Sequence, residues 1–435
     1  MSDAPEPALE AATTRLGQLQ RGRGDGFVAA LRAGADAQDD LLRCLCHDPR
    51  VDRQIEARGR YYGELLAALD LPLEPLCYVL GDATEPVLGH EAIAAAWRLG
   101  HAPARALLAD ELTREPLLAG VTAVLWGERW AVPVELPPRA RALWLRLDLD
   151  QADSARAIAT PPSTSALAAL SLDELLEIAR GPQSTRRDRV LGELCARGGD
   201  PATRDRLVEI ASQDLVYARV RLAARALGLL GDERLLPLAE EHFAREDVFA
   251  DPQRRLRGEA RMRRACLADY VQHLPPALGL ELARGYHGRG GYFTHVAGCL
   301  FQEHATAADR AALEAFVAAR RDDDGGVAVI CELDALARLG DPRSAPLLAE
   351  VARTVAYSHA RPRAVHALAT MAEAPLAREV LREALWDCED EAAADGCAFV
   401  PVLDARAQDR VAALAASPLV DGELAARALR RLQRR

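Results

Sequence analysis

The sequence predicts an all-α fold, an αα superhelix (solenoid) of stacked helices with one irregular insertion. Three observations lead to this prediction. Alanine makes up about a fifth of the 435 residues, well above ordinary usage. Apolar residues recur at the three- and four-residue spacing of helices, while strand-like alternation is scarce. A turn with glycine and aspartate recurs between helical stretches, which is typical of helical repeat proteins.

Four segments follow one another along the chain. Residues 1–40 are rich in Gly, Ala, Asp and Arg, and we expect this segment to be partly mobile. Residues 41–125 are predicted to form N-terminal helical repeats. Residues 126–164 form an irregular tryptophan- and proline-rich insertion or linker, and residues 165–435 are predicted to form one long repeat array.

The insertion differs from its surroundings in composition. It holds three of the five tryptophans, Trp126, Trp130 and Trp144, together with prolines that interrupt any long helix. Clustered aromatic rings are able to anchor a protein partner. Such an insertion also commonly packs over adjoining helices as a cap, so both interpretations stay open. Pro161 and Pro162 mark the predicted boundary to the long array.

The recurring turn appears four times. Gly100, Gly231 and Gly340 each follow a helical stretch, where glycine takes the left-handed conformation that ends a helix. The fourth copy contains the run 198–201, Gly-Gly-Asp-Pro. Aspartate follows glycine in three copies and can accept hydrogen bonds from the free amides of the next helix. The copies are spaced by near-multiples of about 33 to 36 residues, the length of a helix pair.

Residues 221–241 and 332–353 resemble HEAT-type repeats, including the short units found in phycobilisome-lyase proteins. Asp232 and Asp341 match the turn aspartate of that family. Prolines at 237 and 346 match the proline that bends the first helix of its repeat. The resemblance is good over about 165–375, and it implies a right-handed solenoid whose second helices line a concave face. It implies no single activity, because this fold serves many tasks.

Composition excludes several kinds of chemistry. The chain has no lysine, so all 54 basic residues are arginine. Walker-type phosphate loops, kinase-type ATP sites and lysine Schiff bases are therefore excluded in their usual form. The net charge of −11 makes nucleic acid an unlikely partner. No apolar run is long enough to span a bilayer, which predicts a cytoplasmic protein with no membrane association.

The cysteines predict reduced thiols and no metal centre. Their number, nine, is odd, and most are isolated in apolar stretches. Cys44 and Cys46 precede His47, but no second pair lies at the spacing of a zinc site. We therefore expect a buried helix end at this position, and we assign neither a metal nor a cofactor to the chain.

Arginines are concentrated in one short segment. The predicted partner-binding residues here are Arg254, Arg255, Arg257, Arg261, Arg263 and Arg264. On a helix they cannot share one face, yet arginine pairs well with carboxylate and phosphate groups. The alternative is a solvated helix surface. Residues 383–404 hold seven acidic residues and no basic one, which favours pairing with a basic surface within the chain or between copies.

The segment 285–295 combines four glycines with aromatic side chains and two histidines. A ligand pocket is predicted from Tyr286, His287, Arg289, Tyr292, Phe293 and His295. Glycines allow close backbone approach, and aromatic rings supply flat contact area. His295, Cys299 and Glu303 would also share a helix face if Thr294 opens a helix, but no zinc motif is present. An ordinary inter-helix loop is the remaining alternative.

A third cluster precedes and begins a predicted helix. It contains Tyr357, His359, Arg361 and Arg363, followed by His366. In a solenoid, such residues of a second helix face the concave side, where partners dock. We therefore include the first four among the candidate partner-binding residues.

The function predicted from these patterns is a non-catalytic scaffold or adaptor that binds a protein partner on a concave or charged surface. No nucleophile motif is present, so no catalytic residue is assigned. The alternative is a small-ligand or DNA-acting enzyme of HEAT-like fold, similar to bilin lyases or alkylbase glycosylases. Trp386 beside Asp387 keeps the glycosylase alternative open.

Overall fold

The structure is a computed structural model that describes residues 9–52, 56, 58–80, 87–110, 115–127, 136–141, 167, 170–178, 184–245 and 258–433. Every regular element in these ranges is helical, which confirms the all-α prediction. Most of the predicted insertion, at 128–135 and 142–164, lies outside the described residues. Its role as a cap or an anchor stays a prediction.

The first part of the chain forms eight α-helices among the described residues. They are α1 (Arg15–Gln20), α2 (Gly24–Ala33), α3 (Gln38–Cys46), α4 (Gly59–Ala68), α5 (Glu74–Leu80), α6 (Val87–Arg98), α7 (Ala102–Ala109) and α8 (Glu115–Gly127). Leu19 and Ala30 are fully buried, so part of the segment 1–40 contributes to a core.

The middle helices are α9 (Leu172–Ile178), α10 (Ser184–Arg197), α11 (Pro201–Gln213), α12 (Tyr217–Leu229), α13 (Leu236–Phe243), α14 (Gly258–Gln272), α15 (Pro276–Tyr286) and α16 (Gly291–His304). The last helices are α17 (Arg310–Arg320), α18 (Ile330–Leu339), α19 (Ala345–Thr354), α20 (Ala360–Ala369), α21 (Pro375–Ala384), α22 (Asp390–Phe399), α23 (Ala405–Ala416) and α24 (Gly422–Gln433).

The helices pack in two interleaved series. From α9 to α16, each odd-numbered helix packs on the even-numbered helix after it, and the same holds for α19 with α20, α21 with α22 and α23 with α24. Even-numbered helices also contact one another in succession, as α10, α12, α14 and α16 do. This pattern buries one face of each helix against its pair and another against the next pair, as stacked helices require.

The predicted turns end helices as glycine permits. Gly100, Gly231 and Gly340 have φ values of 84°, 65° and 61°, in the left-handed region. The side chain of Asp232 accepts a hydrogen bond from the amide of Arg234, and Asp200 and Asp341 cap the following turns in the same way. The turn predictions at these positions are confirmed.

The chain divides into two compact units. The first combines residues 1–156 with 312–435, and the second contains residues 157–311. One apolar core runs through the first unit and joins N-terminal side chains such as Leu19 and Tyr62 to C-terminal ones such as Leu385 and Val411. Sequence-distant helices therefore share a hydrophobic core, which stabilises the unit as a whole.

Candidate functional site

The predicted arginine cluster divides between surface and interior. Arg254, Arg255 and Arg257 lie outside the described residues. Arg261 is exposed on α14, whereas Arg263 and Arg264 are buried. A helix turns by about 100° per residue, so neighbours in sequence point in different directions. Partner binding by these residues stays a prediction.

The buried arginines of α14 contact the protein itself. The guanidinium of Arg263 donates to the carbonyl oxygens of Ala211 at 3.0 Å and Asp214 at 2.9 Å, at the end of α11. These carbonyls have no partner within their own helix, so the guanidinium acts as a cap. Arg264 lies 4.8 Å from the ring centroid of Tyr292, in cation–π geometry.

The predicted ligand-pocket segment forms a packed aromatic cluster. The buried ring of Tyr286 lies 5.0 Å from that of Phe293 and 6.3 Å from that of Phe243. Arg289 covers the cluster, with its guanidinium 3.7 Å from the ring centroid of Phe293. These contacts are those of a hydrophobic core with a cationic cover.

Other pocket candidates lie beside this cluster. The ring of His287 lies 5.1 Å from that of Phe301, and the ring of His295 lies 5.3 Å from that of Tyr292. Helix α16 begins at Gly291, three residues before the expected start at Thr294. His295 itself is exposed. Ligand binding at this segment stays a prediction.

The third predicted cluster is largely interior. Tyr357 and Arg361 are buried, and the ring of Tyr357 lies 5.9 Å from that of His359. The Nε of Arg361 donates to Oδ2 of Asp387 at 2.9 Å, and its Nη2 donates to Oδ1 at 3.0 Å. Arg363 is half-buried, with its Nε 3.9 Å from Oδ1 of Asp334. A partner-binding role of these residues stays a prediction.

A buried ionic network connects N-terminal to C-terminal segments beside this cluster. Arg58 Nη2 lies 2.5 Å from Oε1 of Glu56, and the same oxygen accepts the amide of Ser358 at 2.7 Å. Burial opposes ionisation of Glu56, but Arg58 and the Ser358 amide lower the pKa of this carboxyl. The paired charges hold segments some 300 residues apart within one unit.

The second unit contains a more accessible site, a groove between α10 and α12. Its lining residues are Arg187, Asp188, Leu191, Tyr217, Ala218, Arg221, Leu222 and Arg225. We call this the α10–α12 groove; its cavity volume is about 160 Å³. Tyr217, Arg221 and Arg225 are four residues apart, so they form one stripe along α12.

The charges of the groove are only partly balanced. Arg221 Nε lies 3.0 Å from Oδ2 of Asp269, and this hydrogen bond raises the pKa of Arg221. The Arg221 guanidinium lies 6.0 Å from the ring centroid of Tyr217. Arg225 is different, because its Nε is buried and contacts no acceptor in the part of the chain that the structure describes. The groove therefore contains a cation with one donor, the Nε of Arg225, that has no hydrogen-bond partner among the described residues.

Sequence reasoning missed this groove. The signal was present in the four-residue spacing of Tyr217, Arg221 and Arg225 along α12. The dense arginine run at 254–264 is more conspicuous in the sequence, although sequence density does not determine which side chains face solvent.

Comparison with family models, with curated proteins and with solved structures finds no match to this chain. Within the described ranges, no group of three or more histidine, cysteine, aspartate or glutamate side chains is arranged to hold a metal ion. The helices of these ranges are also too short or too polar to cross a membrane. The fold and the α10–α12 groove are thus the basis for assigning a function.

Proposed function

We propose that this protein is a non-catalytic binding protein of stacked HEAT-like repeats, and that it holds an acidic segment of a partner protein in the α10–α12 groove. The observation that carries the proposal is Arg225, a groove-lining cation with a buried Nε that contacts no acceptor in the described ranges. A carboxylate of a partner supplies the missing acceptor in a charge-assisted hydrogen bond.

The charge balance of the groove supports an acidic partner. Arg187, Arg221 and Arg225 line it, against one acidic lining residue, Asp188. Asp269 pairs with Arg221 from α14 and neutralises part of this charge. Arg225 contributes a further positive charge at the groove, which a segment rich in glutamate or aspartate complements.

The side chains at the groove favour a protein over a nucleic acid. The Tyr217 side chain is 47% exposed, and Leu215, just before α12, is 67% exposed. Tyrosine and arginine are the residues that most often dominate protein interfaces. The net charge of −11 opposes a long polyanion, whereas a short acidic segment contacts only the local positive surface.

The packing pattern supports the repeat architecture in this proposal. Consecutive even-numbered helices from α10 to α16 contact one another, and each packs on the helix before it. These contacts bring residues of α10 and α12 side by side, which supports the concave helix layer that we propose. We further propose a reducing, cytoplasmic location, because the eight cysteines whose side chains are described are free thiols.

The test uses the full chain and a short fluorescent glutamate-rich peptide containing leucine and tyrosine. We expect Arg225→Gln to weaken binding of this peptide by at least about tenfold, because a charge-assisted hydrogen bond is lost. Fluorescence anisotropy at low and at physiological salt measures the affinity. Affinity capture from a nuclease-treated extract, comparing wild type with Arg225→Gln, then identifies the natural partner.

Two matched variants control this test. Arg261→Gln removes an exposed arginine on the neighbouring α14, and Arg430→Gln removes an exposed one on α24. Both should bind the peptide as wild type does. Equal weakening by Arg261→Gln would point to the α14 arginines instead. Tighter binding of duplex DNA than of the peptide would overturn the proposal in favour of a nucleic-acid ligand.

A further inference from the structure

A second groove lies within the first compact unit, between α4 and α23. Its lining includes four alanines of these two helices, which we call the alanine floor, and all but the first of them are exposed: Ala67, Ala68, Ala413 and Ala416. The cavity volume is about 610 Å³. The groove is open to solvent, and its size falls in the range of about 300–1,000 Å³ that is usual for small-molecule pockets. Small side chains leave space that a ligand with an apolar body can fill. We call this the α4–α23 groove.

Arg406 places a positive charge at this groove. Its guanidinium lies 5.5 Å from the ring centroid of Trp386, which also lines the groove. The described residues supply no carboxylate within ion-pair distance of Arg406. Partial burial, and then the charges of Arg32 and Arg382, lower the pKa of Arg406. Arg382 is paired with Asp404, so an anion bound here chiefly relieves the repulsion between Arg406 and Arg32.

Arg410, one helical turn after Arg406, supplies a second cation. Its Nη1 donates to Oε2 of Glu64 at 2.8 Å, and its Nε donates to the carbonyl oxygen of Leu385 at 3.0 Å. The side chain is only 9% exposed, yet its Nη2 has no acceptor among the described residues. A buried guanidinium nitrogen without a partner is costly, so a ligand acceptor at this position is stabilising.

Acidic groups do not cancel this charge. Glu64 is already paired with Arg410 and with Arg60, whose Nη1 lies 3.3 Å from Oε1 of Glu64. Asp409 also lines the groove, and its side chain is exposed. Asp409 repels an anion and therefore reduces its affinity without abolishing the site.

We propose that the α4–α23 groove binds a small organic carboxylate with an apolar chain, whose carboxylate lies against Arg406 and Arg410 and whose chain lies along the alanine floor. An inorganic anion would make no contact with the alanine floor, and a neutral hydrocarbon would give the arginines no hydrogen-bond acceptor. This binding activity goes beyond the proposed docking of a protein partner, because it uses other residues in the other compact unit.

The test compares decanoate with decanol, which shares the chain but lacks the charge. Isothermal titration calorimetry of the full chain should show one decanoate site and much weaker binding of decanol. Arg406→Gln should weaken the binding of decanoate at least about tenfold, because the variant removes a charge-assisted hydrogen bond. The affinity for decanol should stay unchanged. Asp409→Asn should increase the affinity for decanoate, because it removes a charge that repels the carboxylate.

Matched variants separate the groove from general surface effects. Ala413→Phe fills the groove and should abolish binding of both ligands, whereas Ala412→Phe adds the same ring at an exposed neighbouring position outside the lining. Arg430→Gln removes an exposed arginine elsewhere and should bind as wild type does. If Ala413→Phe fails to fold, the comparison of Arg406→Gln with Arg430→Gln still tests whether the carboxylate binds at this groove.

Three outcomes would overturn the proposal: no saturable decanoate site in the wild type, equal affinity for decanol, or equal effects of Arg406→Gln and Arg430→Gln.

Discussion

Arg361 and Asp387 form a buried two-point ion pair, with Nε 2.9 Å from Oδ2 and Nη2 3.0 Å from Oδ1. The side chains are 2% and 5% exposed. Arg361 Nη2 also donates to the carbonyl oxygen of Gly22 at 3.4 Å. The pair thus links the start of α20 to the residues after α21 and to the N-terminal segment.

Breaking this pair should destabilise the first unit. Arg361→Met or Asp387→Leu alone leaves a buried charge without its counter-ion, which costs about 3–5 kcal/mol. The free energy of unfolding of the double variant should fall by clearly less than the sum of the two single losses. The reason is that the double variant leaves neither charge of this pair without its counter-ion. Urea denaturation of the four proteins measures the coupling. Arg363→Met, at a half-buried arginine, is the control and should cost under about 1 kcal/mol.

Gly22 should tolerate no side chain. Its φ is 67°, and a Cβ there would collide with the Sγ of Cys388. Gly340 has a similar φ of 61° with a ψ of 22°, in the left-handed helical region, and a Cβ there would meet only Oγ1 of Thr370 at an ordinary 3.7 Å. Gly340→Ala should therefore cost only the left-handed backbone penalty of about 1–2 kcal/mol, and Gly22→Ala should cost distinctly more. Thermal unfolding of both variants tests this. Equal losses would mean that the Cys388 contact has no energetic effect.

Glu332 should make stability depend on pH. Burial raises the pKa of its carboxyl to about 7 from the ordinary 4.5, although its own amide and Arg320 oppose the shift. Between these values the folded state keeps a proton that the unfolded state has lost. The contribution of this carboxyl to stability is therefore complete below about pH 4.5 and is lost as pH rises through about 7.

Glu332→Gln should remove this dependence. The variant should gain stability over the wild type at about pH 8, by up to about 3 kcal/mol, and differ little below about pH 4.5. Urea denaturation across this pH range measures the difference. Glu373→Gln changes a side chain that is 99% exposed, and its stability should depend on pH as that of the wild type does. A constant difference between Glu332→Gln and wild type at every pH would contradict the prediction.

Arg263 and Arg261 should differ sharply although they are two residues apart. Arg263→Gln removes donors from the buried carbonyl oxygen of Ala211 and the partly buried one of Asp214. We expect a loss of about 1–3 kcal/mol in the free energy of unfolding. Arg261→Gln, on the exposed side of α14, should change it by less than about 0.5 kcal/mol. Denaturant unfolding compares the two; similar losses would show that the capping contacts contribute nothing.

The helical class and the repeated turns were predictable because their causes are local. Apolar spacing defines the buried face of a helix, and Gly231 followed by Asp232 both ends one helix and opens the next turn. The residues of the candidate binding grooves were less predictable from the sequence. Arg225 is one of many arginines in the sequence, and only the neighbouring α10 makes it a groove residue.

The sequence by itself determined that this protein is helical, that its helices are separated by glycine–aspartate turns, and that lysine chemistry is excluded. The tertiary structure decided which charges are buried and which are accessible. Arg361 pairs with Asp387 in the interior, whereas Arg406 faces a groove. The physical reason is that burial and charge pairing depend on contacts between residues far apart in the chain, and an arginine in a helix has the same local pattern whether its neighbour is solvent or a carboxylate.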